Sequence, residues 1–259
     1  MGEVKISIVI PNLNSGRYLG RSLDSIFRQS YKDFDVIVAD GGSTDTSLDI
    51  LYWYQEAHSN LHVYSTMTEG AAAHINDGMK QAQGDIVSWL CADDTYAPGC
   101  FRAVVDAFQN PDAEWVYGRG KIIDEDGNET RAIVTRLKEL LQPRYSYLAL
   151  QCASFIIEPT VFMRRSFQQK VGRYDEALPL VADYDYWLRA GKLSRPVFID
   201  RHTANWRARY GSVSLSNYEK QMVGMYELQR KYSPPWLRPA QWTALQFVQV
   251  LYRQMNRKR

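Results

Sequence analysis

Cysteine and histidine are scarce in this chain of 259 residues, three of one and four of the other, and the scarcity closes several routes. Cys91, Cys100 and Cys152 are odd in number and make no C-x-x-C pair, which excludes a disulfide framework and a structural zinc site and leaves reduced thiols as the expectation. His58, His62, His74 and His202 show no H-x-x-x-H or H-E-x-x-H spacing, so zinc hydrolysis is excluded too; His74 alone falls near the ligand edge argued below. No G-x-G-x-x-G follows a strand, which removes the dinucleotide-dependent dehydrogenases. Pro11-Asn12-Leu13-Asn14-Ser15-Gly16 lacks the glycines, Arg and Lys that a sugar nucleotidyltransferase needs for a triphosphate. No apolar run reaches the length of a membrane span, and the first five residues lead into a strand and not into a secretory core. Cytoplasmic residence is therefore expected. Internal repeats and low-complexity segments are missing as well.

What is present suits a folded enzyme. Apolar residues at 45% and charged residues at 23% allow one large α/β domain or two smaller ones, and exclude a disordered or fibrous chain. The net charge of +2 hides an asymmetry: residues 228–259 carry seven Arg and Lys with no Asp or Glu, so the rest of the chain stands at −5. A basic end on an acidic body points to an anionic surface, phospholipid or nucleic acid.

The first hundred residues alternate strand and helix, which argues a parallel, doubly wound sheet. Ile6–Ile10, Val36–Ala39, Leu61–Tyr64 and Ile86–Leu90 read as strands, each ending in a polar loop. Leu19, Leu23, Ile26 and Phe27, then Leu48, Leu51 and Tyr52, then Ile75, Met79 and Ala82 mark the intervening helices. Phe101, Val104, Val105 and Phe108 mark another. Beyond it the pattern predicts a hairpin over Val116–Asp124 turning at Asp126-Gly127, and irregular chain with short helical pieces over 134–180. A helix over Asp183–Ala190, a short strand Pro196–Ile199, and helices from Tyr218 broken at Pro234-Pro235 and resuming at Pro239 follow.

Three loops carry candidate chemistry. Asp93 and Asp94, after Cys91-Ala92 at the carboxyl end of an apolar strand, are placed either to hold a divalent cation on a diphosphate or to pair with the start of the next helix. Asp40-Gly41-Gly42-Ser43-Thr44-Asp45 reads either as a tight turn whose Ser43 or Thr44 caps a helix, or as a close approach to a nucleotide with Asp40 accepting from a base or ribose. Asp183 is a helix cap or a general base, with Asp185 its rival inside the helix.

Taken in order, Pro11-Asn12-Leu13-Asn14, Asp40 to Asp45, Glu69-Gly70 with Asn76-Asp77-Gly78, Gly84-Asp85 and Asp93-Asp94 resemble glycosyltransferase family 2. Thr160-Val161-Phe162 with Arg164-Arg165-Ser166, Val171 to Glu176, Ala182 to Arg189, and Trp206-Arg207 with Gly211-Ser212-Val213-Ser214 extend the resemblance to about residues 4–214. It implies an α/β fold of the GT-A type, Rossmann-like with a mostly parallel sheet flanked by helices, and a helical C-terminal extension. Residues 1–214 would form the catalytic domain, 1–95 its nucleotide-sugar half and 96–214 its acceptor half, and 215–259 the basic extension.

The resemblance also implies roles. Pro11, Asn12, Asn14 and Asp40 would hold base and ribose, an acid at the Asp40 position favouring a UDP-sugar. Asp93 would bind a Mg²⁺ or Mn²⁺ ion bridging the diphosphate, and Asp183 would be the base of an inverting, hexosyltransferase-type reaction. The acceptor would be a glycan or lipid-linked glycan, not nucleic acid. Two departures leave metal dependence open: Cys91 stands where the family has Asp or Asn, and Arg209 where it often has histidine. Arg207 or Arg209 would then bring positive charge to the leaving diphosphate, or form a surface salt bridge. The same departures support the alternative of a degenerate member that binds nucleotide or glycan, or scaffolds a membrane complex.

In the tail, Trp242, Leu245, Val248, Leu251, Tyr252 and Met255 fall at helical spacing with Arg253, Arg257, Lys258 and Arg259 beyond. This face is expected either to lie peripherally on the inner face of a membrane or to pack on the catalytic domain or on a second subunit of a homo-oligomer.

Overall fold

The computed structural model describes residues 4–209, 212 and 216–256. The expected strands β1 (Ile6–Asn12), β2 (Phe34–Asp40), β3 (Leu61–Ser65) and β4 (Ile86–Trp89) pair in parallel, with β1 between β2 and β4 and β3 outside β2. Helices α1 (Gly16–Phe27), α2 (Ser47–Ala57) and α3 (Ala71–Gln81) are their crossovers. Every residue of β1 and β2 is buried, which requires cover on both faces of the sheet. On one face Ile8, Val36 and Val38 meet Leu19, Leu23 and Ile26 of α1; on the other Val9, Ile37 and Val87 meet Ile75 of α3.

The chain continues through β5 (Thr95–Tyr96), α4 (Cys100–Ala107), β6 (Trp115–Ile123), α5 (Ala132–Leu141), α6 (Tyr147–Cys152), β7 (Val161–Arg164), α7 (Arg165–Val171), α8 (Ala182–Leu193) and β8 (Val197–Arg207). β7 inserts antiparallel between β4 and β6, β8 runs parallel beside β6, and β5 closes the edge antiparallel to β8. The result is one mixed sheet of eight strands, half of it the parallel β3-β2-β1-β4 run.

Several expectations need correction. The hairpin after Val116 closes where expected but is short: Gly127 N–H donates to Asp124 O, Asp124 N–H to Asn128 O and Thr130 N–H to Ile122 O, and the return strand is reduced to a single bridge, Ile123 to Glu129. The short strand at Pro196–Ile199 runs on to Arg207, its pairing with β6 shifted at Gly118 and Arg119. Gly118 is needed at that shift, because a Cβ there would stand 2.4 Å from Thr203 Oγ1. In α2 the buried apolar side chains are Leu51 and Tyr54, while Leu48 and Tyr52 are exposed; Tyr54 Oη donates to Asp24 Oδ1 of α1 at 2.7 Å and so fixes which way the helix faces.

The helices Tyr218–Tyr232 and Arg238–Asn256 pack on α6 and α8, separated by the short turn Pro235–Leu237. Leu228 joins the Trp187 core, Tyr232 Oη donates to Asp185 Oδ1 (2.7 Å), and Gln241 Nε2 donates to Gln151 O (3.1 Å). On the last helix Leu245 and Val248 are half-buried, whereas Trp242, Phe247 and Val250 are exposed, so the expected apolar face is divided between packing and solvent. The side chains of Leu251, Tyr252, Arg253 and Met255, and residues 257–259, lie outside the described residues, as do Gly211, Val213 and Ser214. Among the described residues no helix is long and apolar enough to cross a membrane.

Candidate active site

Parallel strands joined by crossover helices bring their carboxyl ends to one edge, and there segments far apart in sequence enclose a cavity of ≈ 520 Å³. Pro11 and Asn12 line it from the end of β1, His74 from α3, Cys91 and Asp93 from the loop after β4, Glu158 from the turn before β7, Asp183 from α8, and Arg207 and Arg209 from the end of β8. That size is ordinary for a small-molecule site.

The loops after β1 and β2 are tied to each other. Asp40 is buried and accepts four hydrogen bonds, at Oδ1 from Asn12 Nδ2 (2.7 Å) and Ser43 Oγ (2.6 Å), at Oδ2 from the N–H of Gly42 (3.0 Å) and Ser43 (2.9 Å). Burial pushes its carboxyl up, but the bonds from Ser43, Asn12 and Gly42 outweigh that and hold it below the usual range. A base or ribose would have to share one of these acceptor positions. Asn14, left-handed at φ 50°, accepts from the N–H of Thr44 (2.8 Å) and Asp45 (3.3 Å). Neither Asp40 nor Asn14 lines the cavity, which Asn12 does. Ser43 and Thr44 are not caps, since α2 starts after Thr46 with Asp45 Oδ1 accepting from Ser47 N–H (2.9 Å). Gly41 packs on His74, so closely that a Cβ would stand 2.4 Å from His74 Cε1.

Asp93 and Asp94 do not cap α4, whose N-cap is Gly99. Instead one ligand atom each from Cys91, Asp93 and Asp94 lies within 4.8 Å of the others. Asp94 accepts from the N–H of Arg207 (2.7 Å), and its Oδ2 is buried with no partner among the described residues. Burial and the charge of Asp93 push the Asp94 carboxyl well up, and burial with the charge of Glu158 does the same to the Cys91 thiol. An orphaned carboxylate oxygen beside a second carboxylate fits a hard cation; a protonated thiol does not. Competing for the same acid, Arg209 Nε donates to Asp93 Oδ2 at 2.6 Å. Arg207 is committed elsewhere, Nε to Asp93 O (2.7 Å) and Nη1 to the carbonyls of Asp124 (2.7 Å) and Glu125 (3.1 Å). Of the two arginines expected at the diphosphate, Arg209 is the one paired with an acid of the cavity.

Asp183 sits in the first turn of α8 behind the N-cap Val181, so it is not the cap. Burial raises its carboxyl, opposed by the N–H of Tyr184 and the charge of Lys138. Asp185, its sequence rival, is buried away from the cavity between Arg189 (2.7 Å) and Tyr232. Two neighbours escaped the sequence reading. Glu158 accepts from Trp89 Nε1 (2.9 Å) and is pushed up to about 8 by burial and the charge of Asp183; Lys138 donates to Ser154 O (2.8 Å) and is pushed down to about 8 by burial. The available signal for Glu158 was an acid closing the apolar run Phe155-Ile156-Ile157 just before Pro159.

A cavity at the carboxyl edge of the sheet, an acid pair beside it and a half-buried carboxylate on a separate element define a ligand site of an α/β protein, and comparison with known proteins narrows the class. The chain belongs to glycosyl transferase family 2, whose model matches residues 7–172. An uncharacterized glycosyltransferase of Rickettsia conorii is 28% identical over 238 residues, 83% of this chain and 36% of that protein. This chain thus spans about a third of that relative. Residues 1–349 of S. aureus TarS, crystallised with UDP-GlcNAc, superpose with a TM-score of 0.68 at 19% identity over 93% of this chain and 70% of that one. The mannosyltransferase PcManGT of Pyrobaculum calidifontis, in complex with GDP-Man and Mn²⁺, superposes with a TM-score of 0.71 at 15% identity, over 93% and 68%. These likenesses establish the GT-A-like α/β fold with C-terminal helices.

Proposed function

We propose that the protein is an inverting glycosyltransferase of hexosyltransferase type, moving a sugar from a UDP-linked donor to a hydroxyl of a glycan or lipid-linked glycan. The observation that carries this reading is that Asp93 and Asp183, from separate elements, line the same cavity at the carboxyl edge of the sheet. Asn12 and Pro11 are assigned to the base and ribose, with Asp40 and Asn14 holding that loop in shape. Asp183 takes the proton from the acceptor hydroxyl as its oxygen attacks the anomeric carbon on the side opposite the diphosphate. Burial favours this role by raising its affinity for the proton. Arg209 turns from Asp93 to the departing diphosphate as negative charge grows there. A Mg²⁺ or Mn²⁺ ion, held by Asp93 with Asp94 beside it, would add Lewis-acid neutralisation of the same charge. The Mn²⁺ of PcManGT and the UDP-GlcNAc of TarS support this choice of donor class and cation. The exposed Trp242, Phe247 and Val250 support peripheral contact of the last helix with the cytoplasmic face of a membrane, or with a second copy.

The test is release of UDP from a panel of UDP-sugars. The wild type should turn over at least one sugar, and Asp183→Asn should lose about 10²–10⁴ of that rate while still binding UDP. A second reading, a degenerate nucleotide-binding scaffold, is favoured by Cys91 and by the Arg209–Asp93 pair. Binding of UDP with no turnover in any combination of sugar and acceptor extract would select it.

A further inference from the structure

Helix α5 is built inside out. Its inward face carries Val134, Thr135 and Lys138, and Lys138 reaches the catalytic cavity. Its outward face carries Ile133 (60% exposed), Leu137 (36%), Leu140 (69%) and Leu141 (38%), the i, i+4, i+7, i+8 spacing of one helical stripe. Leu148, on the following helix α6, is also exposed. Arg136 is exposed beside the stripe on α5, at the i+3 position from Ile133, and Arg144 is exposed in the turn Gln142–Arg144 that follows the helix. The one acid of α5, Glu139, is half-buried and turned toward Arg119 (3.8 Å). A water-facing helix with this arrangement gains nothing from folding its leucines outward, so the stripe marks a contact surface.

We propose that the outer face of α5 docks on an anionic lipid bilayer, seating the mouth of the cavity at the membrane surface. Charge decides the occupant. A self-contact about a two-fold axis would set this arginine-bearing face against itself with no carboxylate to answer it. An anionic bilayer answers both features, taking the leucines into the headgroup boundary and the guanidinium groups among phosphates. The last helix, which packs against α6, carries exposed Trp242 and Phe247 as well. This deepens the proposed reading and rests on it only for the presence of an acceptor at the membrane.

The experiment is co-sedimentation of the whole chain with vesicles of phosphatidylcholine, alone or mixed with phosphatidylglycerol. Leu137→Glu/Leu140→Glu and Arg136→Gln/Arg144→Gln are compared with wild type, and UDP calorimetry is run on each. The wild type should bind only the anionic vesicles, the leucine variant should lose about tenfold or more of that binding, and the arginine variant should lose most of its salt-sensitive part. UDP affinity should stay at the wild-type value in both variants, which shows that they are folded. Wild-type levels of vesicle binding in both variants would overturn the proposal. So would no vesicle binding by the wild type together with a dimer that the leucine variant dissolves. Vesicle binding without UDP binding would instead sink the transferase reading and leave this one standing.

Discussion

Asp183 and Asp93 were legible as residues because each is an acid where the local pattern turns from apolar to polar at an element's end. Their neighbours were not. Glu158 and Lys138 lie in the stretch 134–180, where the one helical apolar stripe, that of α5, falls on the outward face away from Lys138, and only the folded chain brings them to Asp183. Asp40 shows the opposite limit: its position at the end of β2 is plain from sequence, yet its four bonds to the adjacent loop are not. The Glu158 carboxyl gives a pH signature. Its folded value, about 8, lies above its ordinary 4.5, so the folded state holds the proton more tightly and this contribution to stability is lost as pH rises from about 4.5 through 8. Glu158→Gln keeps the neutral shape and removes the titration. Melting temperatures across that range should fall less with pH in the variant than in wild type; equal slopes would show that Glu158 does not titrate as described.

At the scale of elements, β1, β2 and β4 were readable because strands buried on both faces are nearly continuous apolar runs, whereas the edge strand β3, with only Leu61 buried, was readable by its place in the alternation. β7 was hidden by its brevity, four residues, and β8 by its exposed polar middle, Asp200 to His202. Both are defined by partners distant in sequence, and so is the placement of α8. Trp187 of α8 stacks on Trp89 of β4 (5.3 Å between centroids) and on Trp115 of β6 (6.0 Å), joining the helix that carries Asp183 to the strand that leads into Asp93. Trp187→Ala should cost about 3–5 kcal/mol in denaturant unfolding. Activity should fall at temperatures where the variant is still folded, because the two acids lose their common support. Unchanged turnover in a destabilised but folded variant would separate α8 packing from catalysis.

For the whole molecule, the alternation of strand and helix announced an α/β sheet, but not the insertion of β7 between β4 and β6 that makes it mixed. That insertion brings Glu158, just before β7, next to the loop that holds Asp93. Charge is likewise distributed at this scale: the basic C-terminal segment and the outer face of α5 are positive, whereas the cavity is lined by Asp93, Glu158 and Asp183 with its two arginines already engaged, Arg207 by backbone carbonyls and Arg209 by Asp93. Such a cavity should bind a nucleoside diphosphate poorly by itself and better when a divalent cation arrives with it. The most direct measurement is calorimetry of UDP, against GDP, dTDP and CMP, with and without Mn²⁺, on wild type and Asp93→Asn. Selective UDP binding that Mn²⁺ strengthens in wild type and not in Asp93→Asn is the predicted result, whereas no binding of any nucleotide under either condition would contradict the account.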